Sequence, residues 1–189
     1  MNDPAERRRM TLEAYRALER GSATKHEYVD GEVFAMAGAK HAHNRVSANV
    51  LTALTIAFGD RPCEANGSDM RVMAGNSTLH YPDVSMLCGE PRFSDDREDE
   101  LVNPSAIVEV LSESTEAYDR GEKFEHYQTI ESLQEYVLVD PRRLHVDVYA
   151  RESDGWKRRS YGAGQVFRLG AVHVEIAVDD LYKRVRLPA

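Results

Sequence analysis

The segment AIVEVLSEST, residues 106–115, is typical of a strand whose apolar side chains surround an acid, Glu109. Ile107, Val108, Val110 and Leu111 do not alternate with polar residues, as they would in a strand with one face in water. We therefore expect both faces of this strand to be covered. An ionised carboxylate taken out of water is costly unless it is paired, hydrogen-bonded or bound to a metal. Glu109 needs a partner that another part of the chain supplies.

Length and composition predict one globular domain. The chain has 189 residues, of which 42% are hydrophobic and 30% are charged, and this is enough for a sizeable core. No apolar run approaches the roughly 20 residues of a membrane span, and the opening segment MNDPAERRRM lacks the apolar core of a signal peptide. We expect a single cytoplasmic domain over residues 1–189, with its core between about residues 10 and 180.

The two cysteines, Cys63 and Cys88, lie 25 positions apart and form no CxxC pair. This spacing argues against a zinc ribbon and gives no sign of a disulfide framework. We expect both to be small core residues.

The net charge of −8 argues against a protein that coats DNA generally, because the surface of a nucleic-acid binder that meets phosphates is expected to be basic. It does not exclude an enzyme that meets DNA locally. Basic clusters at residues 7–9, 142–143, 157–159 and 183–186 could form a patch. For any one cluster, ordinary solvated surface charge is the simpler interpretation.

The first third of the chain predicts a helix, a hairpin and a longer helix. Leu12, Tyr15 and Leu18 share one helical face. Asp30 and the glycine after it accept the positive dihedrals of a tight hairpin turn. Over about residues 42–58, apolar side chains recur at helical spacing and predict the longest helix.

The remainder predicts strands around one further helix. Strand candidates lie near residues 63–73, 80–88 and 106–112, and the acidic, proline-containing segment 89–105 is typical of an exposed loop. The segment DRGEKFEHYQTI has Asp119 and Glu122 spaced as a capping box before a helix of about three turns, and several strands follow. This order predicts an α/β (α+β mixed) fold with a central mixed sheet flanked by helices.

A second acid, Asp83, opens an apolar strand in HYPDVSML, residues 80–87. The proline-aspartate step places Asp83 near the start of that strand, where its side chain can face a cleft. If the sheet pairs this strand with that of Glu109, the two carboxylates become neighbours. A hard cation such as Mg²⁺ takes one or two protein carboxylates and completes its shell with water and substrate phosphate. The pair could hold a metal, although two acids alone are a weak signal in so acidic a chain.

Lys123 supplies a third element. It lies one position before Phe124 and four before Tyr127, so it flanks the apolar face of the predicted helix and is expected to point towards Glu109. An ammonium there would offset buried carboxylates. In a phosphodiesterase it would also orient the attacking water or stabilise charge on the phosphate.

Four motifs, in this order and at these spacings, resemble those of one family: YPDV, PSAIVEVLSEST, DRGEKFEHY and EYVLVDP. They are similar to the motifs of the Uma-type putative restriction endonucleases, a bacterial branch of the PD-(D/E)XK nuclease superfamily. KHEYVDGEVFAMAG and HAHNRV also resemble the opening hairpin and first core helix of that family. The resemblance implies a restriction-endonuclease-like fold, hydrolysis of DNA phosphodiester bonds, and Asp83 and Glu109 as ligands of Mg²⁺ or Mn²⁺.

The superfamily pattern also implies a lysine two positions after Glu109, where this chain has Leu111. In the Uma-type branch the lysine is moved to the following helix, which makes Lys123 the matching residue. Two accessory candidates follow from the resemblance. Glu27 matches the opening motif, and His43 lies on the inner face of the long helix. Simpler alternatives are a cross-strand or surface salt bridge for Glu27 and a helix-terminal polar position for His43.

Three hypotheses remain open at the level of the sequence. The first is a metal-dependent endonuclease acting on DNA, and the second is a nuclease fold without activity that binds nucleic acid or a protein. The third is a dimeric scaffold whose acids are structural. Competent side chains at all three site positions favour the first, by analogy with the fold. Nucleases of this fold that cut both strands often act as two-fold dimers, so a homodimer is expected.

Overall fold

The structure is a computed structural model that describes residues 9–94 and 96–187. The opening segment 1–10, on which the signal-peptide expectation rests, lies largely outside these ranges. Residues 7 and 8 of the basic cluster at 7–9 lie wholly outside them. The helices are α1 (Leu12–Gly21), α2 (His41–Phe58), α3 (Glu116–Arg120), α4 (Glu122–Gln128) and α5 (Val178–Leu181). The strands are β1 (His26–Val29), β2 (Glu32–Ala35), β3 (Cys63–Gly67), β4 (Arg71–Ala74), β5 (Thr78–His80), β6 (Val84–Cys88), β7 (Glu100–Leu101), β8 (Ala106–Val110), β9 (Glu135–Asp140), β10 (His145–Glu152), β11 (Gly155–Gly162), β12 (Val166–Leu169) and β13 (Val174–Ala177). None of these helices is long and apolar enough to cross a membrane.

Two larger sheets organise the fold. One has the strand order β11-β10-β9-β8-β6-β3 and the other the order β2-β1-β5-β4-β7, while β12 and β13 form a separate hairpin. Within the six-stranded sheet, β8 and β9 are parallel and the remaining neighbours are antiparallel. The predicted mixed α/β fold, with helices against mixed sheets, is confirmed.

The side chains of β8 alternate between two hydrophobic cores, and the whole strand is buried as predicted. Ala106, Val108 and Val110 pack in a cluster with α2, while Ile107 packs in a second cluster with α4. Glu109 has the same parity as Ile107, so it points towards α4 and away from α2. The strand therefore delivers its one carboxylate to the face that α4 covers.

The elements predicted at the start of the chain are confirmed. Thr11 caps α1, its side chain accepting a hydrogen bond from Ala14 N. Asp30 and Gly31 have φ of 47° and 94° and turn β1 into β2. The longest described helix is α2, and it buries one stripe of residues, namely Val46, Val50, Leu54 and Phe58.

The acidic segment 89–105 is not wholly an exposed loop. It contains β7, which pairs in parallel with β4 and is completely buried. The Glu100 carboxylate lies 2.5 Å from an Arg16 guanidinium nitrogen and 3.3 Å from one of Arg71. Two arginines distant in sequence thus make burial of this acid possible, and local composition could not show them.

Two details of the central helix differ from prediction. The helix is interrupted at Gly121, which separates α3 from α4, and neither helix has a side-chain cap. Asp119 is buried within α3, so the predicted capping box is wrong. The strand predicted over residues 63–73 is two strands, β3 and β4. The unpredicted strand β12 precedes the predicted last strand, and the polar tail contains the unpredicted helix α5.

Cys63 and Cys88 form a disulfide, so the expectation of two unlinked core residues is wrong. The antiparallel register of β3 and β6 places them directly opposite each other, and Cys88 is exposed. The pairing follows from strand register, which the 25-residue spacing alone does not reveal.

Candidate functional site

The register of β6 and β8 brings the two predicted metal ligands to adjacent positions. Val84 pairs with Val108 in this antiparallel ladder, so continuing it by one residue places Asp83 opposite Glu109. Val110 N donates a hydrogen bond of 2.8 Å to Asp83 Oδ2, which ties Asp83 to the end of β8. The prediction that the strands of Asp83 and Glu109 are neighbours in the sheet is confirmed.

Lys123 points into the protein and meets three acids. Its Nζ lies 2.8 Å from Glu109 Oε1, 3.1 Å from Glu27 Oε1 and 3.9 Å from Asp119 Oδ1. The side chain is only 7% exposed. Burial lowers the pKa of Lys123, but Glu109, Glu27 and Asp119 outweigh this effect and leave the pKa above its ordinary value. The ammonium is therefore held charged at the centre of an acidic cluster.

Glu109 is buried beside other acids, and Lys123 is the single cation that pairs with it among the described residues. Burial raises the pKa of its carboxyl to about 8, against the lowering effect of Lys123, and the charges of Asp119 and Asp83 add to the rise. Tyr127 OH donates a hydrogen bond of 3.0 Å to Glu109 Oε1. The Lys123 ammonium and the Tyr127 hydroxyl thus stabilise the buried carboxyl of Glu109 in the strand. A further positive charge beside it would stabilise its ionised form.

Glu27 lies in the interior, where it contacts His80 on the neighbouring strand β5 as well as Lys123, so the simpler alternative of a cross-strand salt bridge fits in part and that of a surface salt bridge does not. Its carboxylate contacts Lys123 on one oxygen, and the other oxygen is 3.2 Å from His80 Nδ1. Burial acts to raise the pKa of Glu27, but Lys123 and His80 outweigh it and hold the pKa at about 2. Glu27 is thus an ionised member of the cluster.

His80 and His126 extend the cluster towards the surface. His80 is completely buried, and burial lowers its pKa below the ordinary value. Its Nε2 lies 3.1 Å from His126 Nδ1, and the two rings are stacked with centroids 5.3 Å apart. His126 is half-buried near the end of α4.

His43 and Ser47 of α2 contact Asp83, the other residue predicted to bind metal. His43 Nε2 lies 3.3 Å from Asp83 Oδ2, and Ser47 Oγ donates a hydrogen bond of 3.2 Å to Asp83 Oδ1. Burial lowers the pKa of His43, but the contact with Asp83 outweighs it and the pKa is raised. The first turns of α2 therefore orient Asp83, and His43 is a contact of the site and not merely a polar helix end.

Sequence reasoning missed Asp119, Tyr127 and His80. Asp119 is buried, accepts a 2.7 Å hydrogen bond from Thr115 Oγ1, and has its pKa raised by burial. A signal existed for two of the three, because Asp119 and Tyr127 lie four positions before and after Lys123 and so share its helical side. His80 carries no such local signal, since its contact with Glu27 depends on the pairing of β1 with β5.

The described residues provide oxygen ligands but no complete metal cage. Among them, no group of three or more His, Cys, Asp or Glu side chains is arranged to hold a metal ion. Mg²⁺ usually needs only one or two protein carboxylates, because water and substrate phosphate complete its octahedron. Asp83 and Glu109 meet that requirement. The donor set fits a hard divalent cation.

Comparison with known proteins shows the family. The model of the Uma2 family, described as "Putative restriction endonuclease", matches residues 12–179. Two similar proteins come from Synechocystis sp. (strain ATCC 27184 / PCC 6803 / Kazusa). Uncharacterized protein sll1609 is 38% identical over 146 residues, which are 77% of this chain and 82% of that protein. Uncharacterized protein slr1290 is 36% identical over 179 residues, which are 93% of this chain and 92% of that protein.

A solved structure shares the fold. The crystal structure of a protein from Anabaena variabilis ATCC 29413, titled as a putative nuclease, superposes with a TM-score of 0.75 at 16% identity. The match covers 92% of this chain and 98% of that one. From the family match and the two relatives, we conclude that this chain belongs to the Uma2 family of putative restriction endonucleases.

Proposed function

We propose that this protein is a metal-dependent endonuclease that hydrolyses phosphodiester bonds of DNA, with Asp83 and Glu109 as the ligands of Mg²⁺ or Mn²⁺. Membership of a family of putative restriction endonucleases supports nuclease chemistry in general. The observation that carries the finer proposal is the buried cluster in which one ammonium faces three carboxylates beside the end of β6. A purely structural network that buries three acids around one ammonium would be costly to retain.

The residues of the chain have separable roles in this proposal. A divalent cation at the site would polarise the phosphate and lower the pKa of a bound water. Asp83 is held for this purpose by His43, Ser47 and Val110 N, so its carboxylate is oriented before any ligand arrives. A ligand that is already oriented, as Asp83 is, needs no rearrangement during the reaction.

Lys123 stabilises the negative charge that develops on the phosphate. Its ammonium is held by Glu27 as well as by Glu109. It would therefore remain in the site if Glu109 bound a metal ion instead. Glu27 is therefore proposed as a positioning residue for Lys123. A buried ammonium that is kept charged in a water-poor site acts more strongly than it would in bulk water.

One observation favours an alternative, a nuclease fold that binds nucleic acid or a protein without cleaving. Lys123 already pairs with Glu109 at 2.8 Å, and such a closed pair could serve stability alone. The two functions differ in one property, because only the nuclease requires Glu109 to exchange this partner for a metal ion.

Two further parts of the proposal concern context. We propose that the protein acts in the cytoplasm, where DNA is available, and that it works as a homodimer. Cleavage of both strands by two copies related by a two-fold axis would give each strand its own site.

The test combines plasmid cleavage with Mn²⁺ calorimetry. Wild-type protein should nick supercoiled plasmid in Mg²⁺ or Mn²⁺, whereas Asp83→Asn and Glu109→Gln should neither bind Mn²⁺ nor cleave. Both variants should fold, with unchanged or raised unfolding midpoints, because each removes repulsion between neighbouring acids. The exposed Glu90→Gln is the matched control and should behave as wild type. Mn²⁺ binding without cleavage would favour the inactive alternative, and wild-type protein that binds no Mn²⁺ would contradict the metal site.

A further inference from the structure

A cavity lies on the surface of the six-stranded sheet, two strands away from Glu109 of the candidate site. It has a volume of about 360 Å³ and is lined by side chains of α3, the β9-β10 turn, β10 and β11: Glu116, Arg120, Arg143, His145, Asp147, Arg158 and Ser160. Arg143 and Arg158 come from two of the basic clusters seen in the sequence, residues 142–143 and 157–159. The fold thus gathers parts of two clusters that are separate in the chain.

The cavity opens on the same sheet face as Glu109. Glu109 pairs with Leu138, Leu138 pairs with Asp147, and Asp147 pairs with Ser160, so one row of residues crosses β8, β9, β10 and β11. Side chains in such a row share a face. Two interstrand spacings of about 4.8 Å separate Glu109 from Asp147, so the cavity begins roughly 10 Å from the candidate site.

Helix α3 joins the two places directly. Asp119 contacts Lys123 in the candidate site, while the next residue, Arg120, donates a hydrogen bond of 2.8 Å to Asp147 Oδ2 at the cavity. Two adjacent residues at the C-terminal end of α3 therefore face the candidate site and the cavity.

Asp147 organises hydrogen-bond donors around the cavity. It is 2% exposed and accepts from Ser160 Oγ at 2.6 Å and from Arg120, and His145 Nε2 lies 3.2 Å from its Oδ1. The carboxylate is thus covered by the groups that it holds. The groups that the cavity presents to solvent are therefore mainly hydrogen-bond donors and cationic side chains rather than carboxylates.

The charge around the cavity is positive in balance. Four guanidinium groups, of Arg120, Arg142, Arg143 and Arg158, face three carboxylates, of Glu116, Asp140 and Asp147. Arg120 and Arg142 satisfy Glu116, while Arg142 and Arg143 both bind Asp140. Arg158 forms no ion pair with any residue in the described ranges, and it is exposed. One cation is left to bind an anion from outside.

We propose that this cavity binds a backbone phosphate of the nucleic-acid strand, a few nucleotides from the phosphate at the candidate site, with Arg158 and Arg143 as the main contacts. The proposal rests on the proposed function. Successive phosphates of one strand lie farther apart through space than the 3.4 Å rise along the duplex axis, because the backbone winds around it, so a separation of roughly 10 Å is covered within a few nucleotides. The contact carries no base information, and it would fix the register of the strand over the site. It also explains how an acidic protein of charge −8 could meet DNA locally.

The test is DNA affinity measured without divalent metal, so that no cleavage is needed. A short fluorescent duplex is titrated in EDTA at several KCl concentrations with wild-type protein, Arg158→Ala, Arg143→Ala and Arg159→Ala. Arg159 is the matched control, because it neighbours Arg158 on β11 but points to the opposite face and pairs with Glu152. All three arginines are exposed, so the substitutions should leave the fold intact.

The expected result is a loss of affinity of about threefold to fivefold for Arg158→Ala and for Arg143→Ala, with none for Arg159→Ala. The slope of log K against log salt should fall by about 1 for each lost contact. Equal affinities and slopes in all four proteins would overturn the proposal, as would wild-type protein that binds no DNA.

Two further measurements complete the test. The first distinguishes binding of DNA phosphate from binding of free phosphate, and the second distinguishes failure of the cavity proposal from failure of the nuclease proposal. Calorimetry with inorganic phosphate should show no Arg158-dependent binding near the DNA affinity. If phosphate binds there while Arg158→Ala leaves DNA affinity unchanged, the cavity takes a free anion and the proposal fails. Arginine-dependent DNA binding by a protein that never cleaves would support this cavity while contradicting the nuclease proposal.

Discussion

The Lys123 ammonium on α4 lies 2.8 Å from Oε1 of Glu109 on β8, so the cation that offsets the buried acid comes from a helix and not from the strand. Leu111, two positions after Glu109, is completely buried in the apolar core that α4 covers. A charge provided by the helix leaves the strand free to remain apolar. This arrangement leads to the first prediction.

Lys123→Ala should abolish cleavage while Mn²⁺ binding persists or strengthens, because the substitution deletes a cation that competes for Glu109. Stability should fall by about 3 kcal/mol, since buried carboxylates lose their partner. Plasmid cleavage, calorimetry and urea unfolding measure the three effects. The exposed Lys183→Ala is the control. Placing lysine at position 111 in the Lys123→Ala background should restore part of the activity, and full activity in Lys123→Ala alone would remove this residue from the mechanism.

The contribution of Glu27 to stability should depend on pH. Its pKa is about 2 in the folded protein, below the value near 4.3 expected when the chain is unfolded. The ionised form therefore stabilises the fold above about pH 4.3, and this stabilisation is lost as the pH falls towards 2. Glu27→Gln should be about 3 kcal/mol less stable than wild type at pH 7, and the gap should close between about pH 5 and 2. Urea unfolding across this range provides the measurement, and a gap that is independent of pH would contradict the ion pairing.

Glu100 should matter for stability and not for the site. It is completely buried between Arg16 and Arg71, so Glu100→Ala leaves buried positive charge uncompensated and should cost about 3 kcal/mol. Glu90→Ala, at an exposed position of the same acidic segment, should change little. Neither substitution should alter Mn²⁺ affinity, measured by calorimetry. A marked loss of Mn²⁺ binding in either variant would show that this segment contributes a ligand.

The disulfide should stabilise the fold without taking part in chemistry. Cys63 and Cys88 close a loop with a sequence separation of 25, for which a stabilisation of about 3 kcal/mol is typical. Reduction of the wild type should lower its unfolding midpoint, and a variant with serine at both positions should show no further change on reduction. Cleavage by that variant should persist below its unfolding temperature. A wild-type midpoint that is insensitive to reductant would contradict this role.

Local patterns predicted the parts of the fold that local chemistry determines. The hairpin at Asp30, the stripe on α2 and the covered strand around Glu109 each follow from side-chain periodicity or turn preference within a few residues. The inward direction of Lys123 could also be predicted, because its spacing from Phe124 and Tyr127 fixes its side of the helix.

Features that depend on strand register could not be predicted in the same way. The Cys63 to Cys88 bond, the burial of Glu100 and the contact between Glu27 and His80 all join segments whose alignment is set by the sheets. Asp119 was misinterpreted for a related reason. A capping box and a buried acid have the same local spacing, and only the packing of α3 against the site distinguishes them.

The central claim is that Asp83 and Glu109 hold one divalent cation, and a crystal structure after soaking in Mn²⁺ tests it most directly. We predict an anomalous difference peak between the two carboxylates, at roughly 2.1 Å from an oxygen of each, as expected for a hard cation of this class. Glu109 should have turned from Lys123, which stays bound to Glu27. An absence of any peak there, with Lys123 Nζ still in contact with Glu109 as in the 2.8 Å pair, would contradict the claim and leave the cluster a structural one.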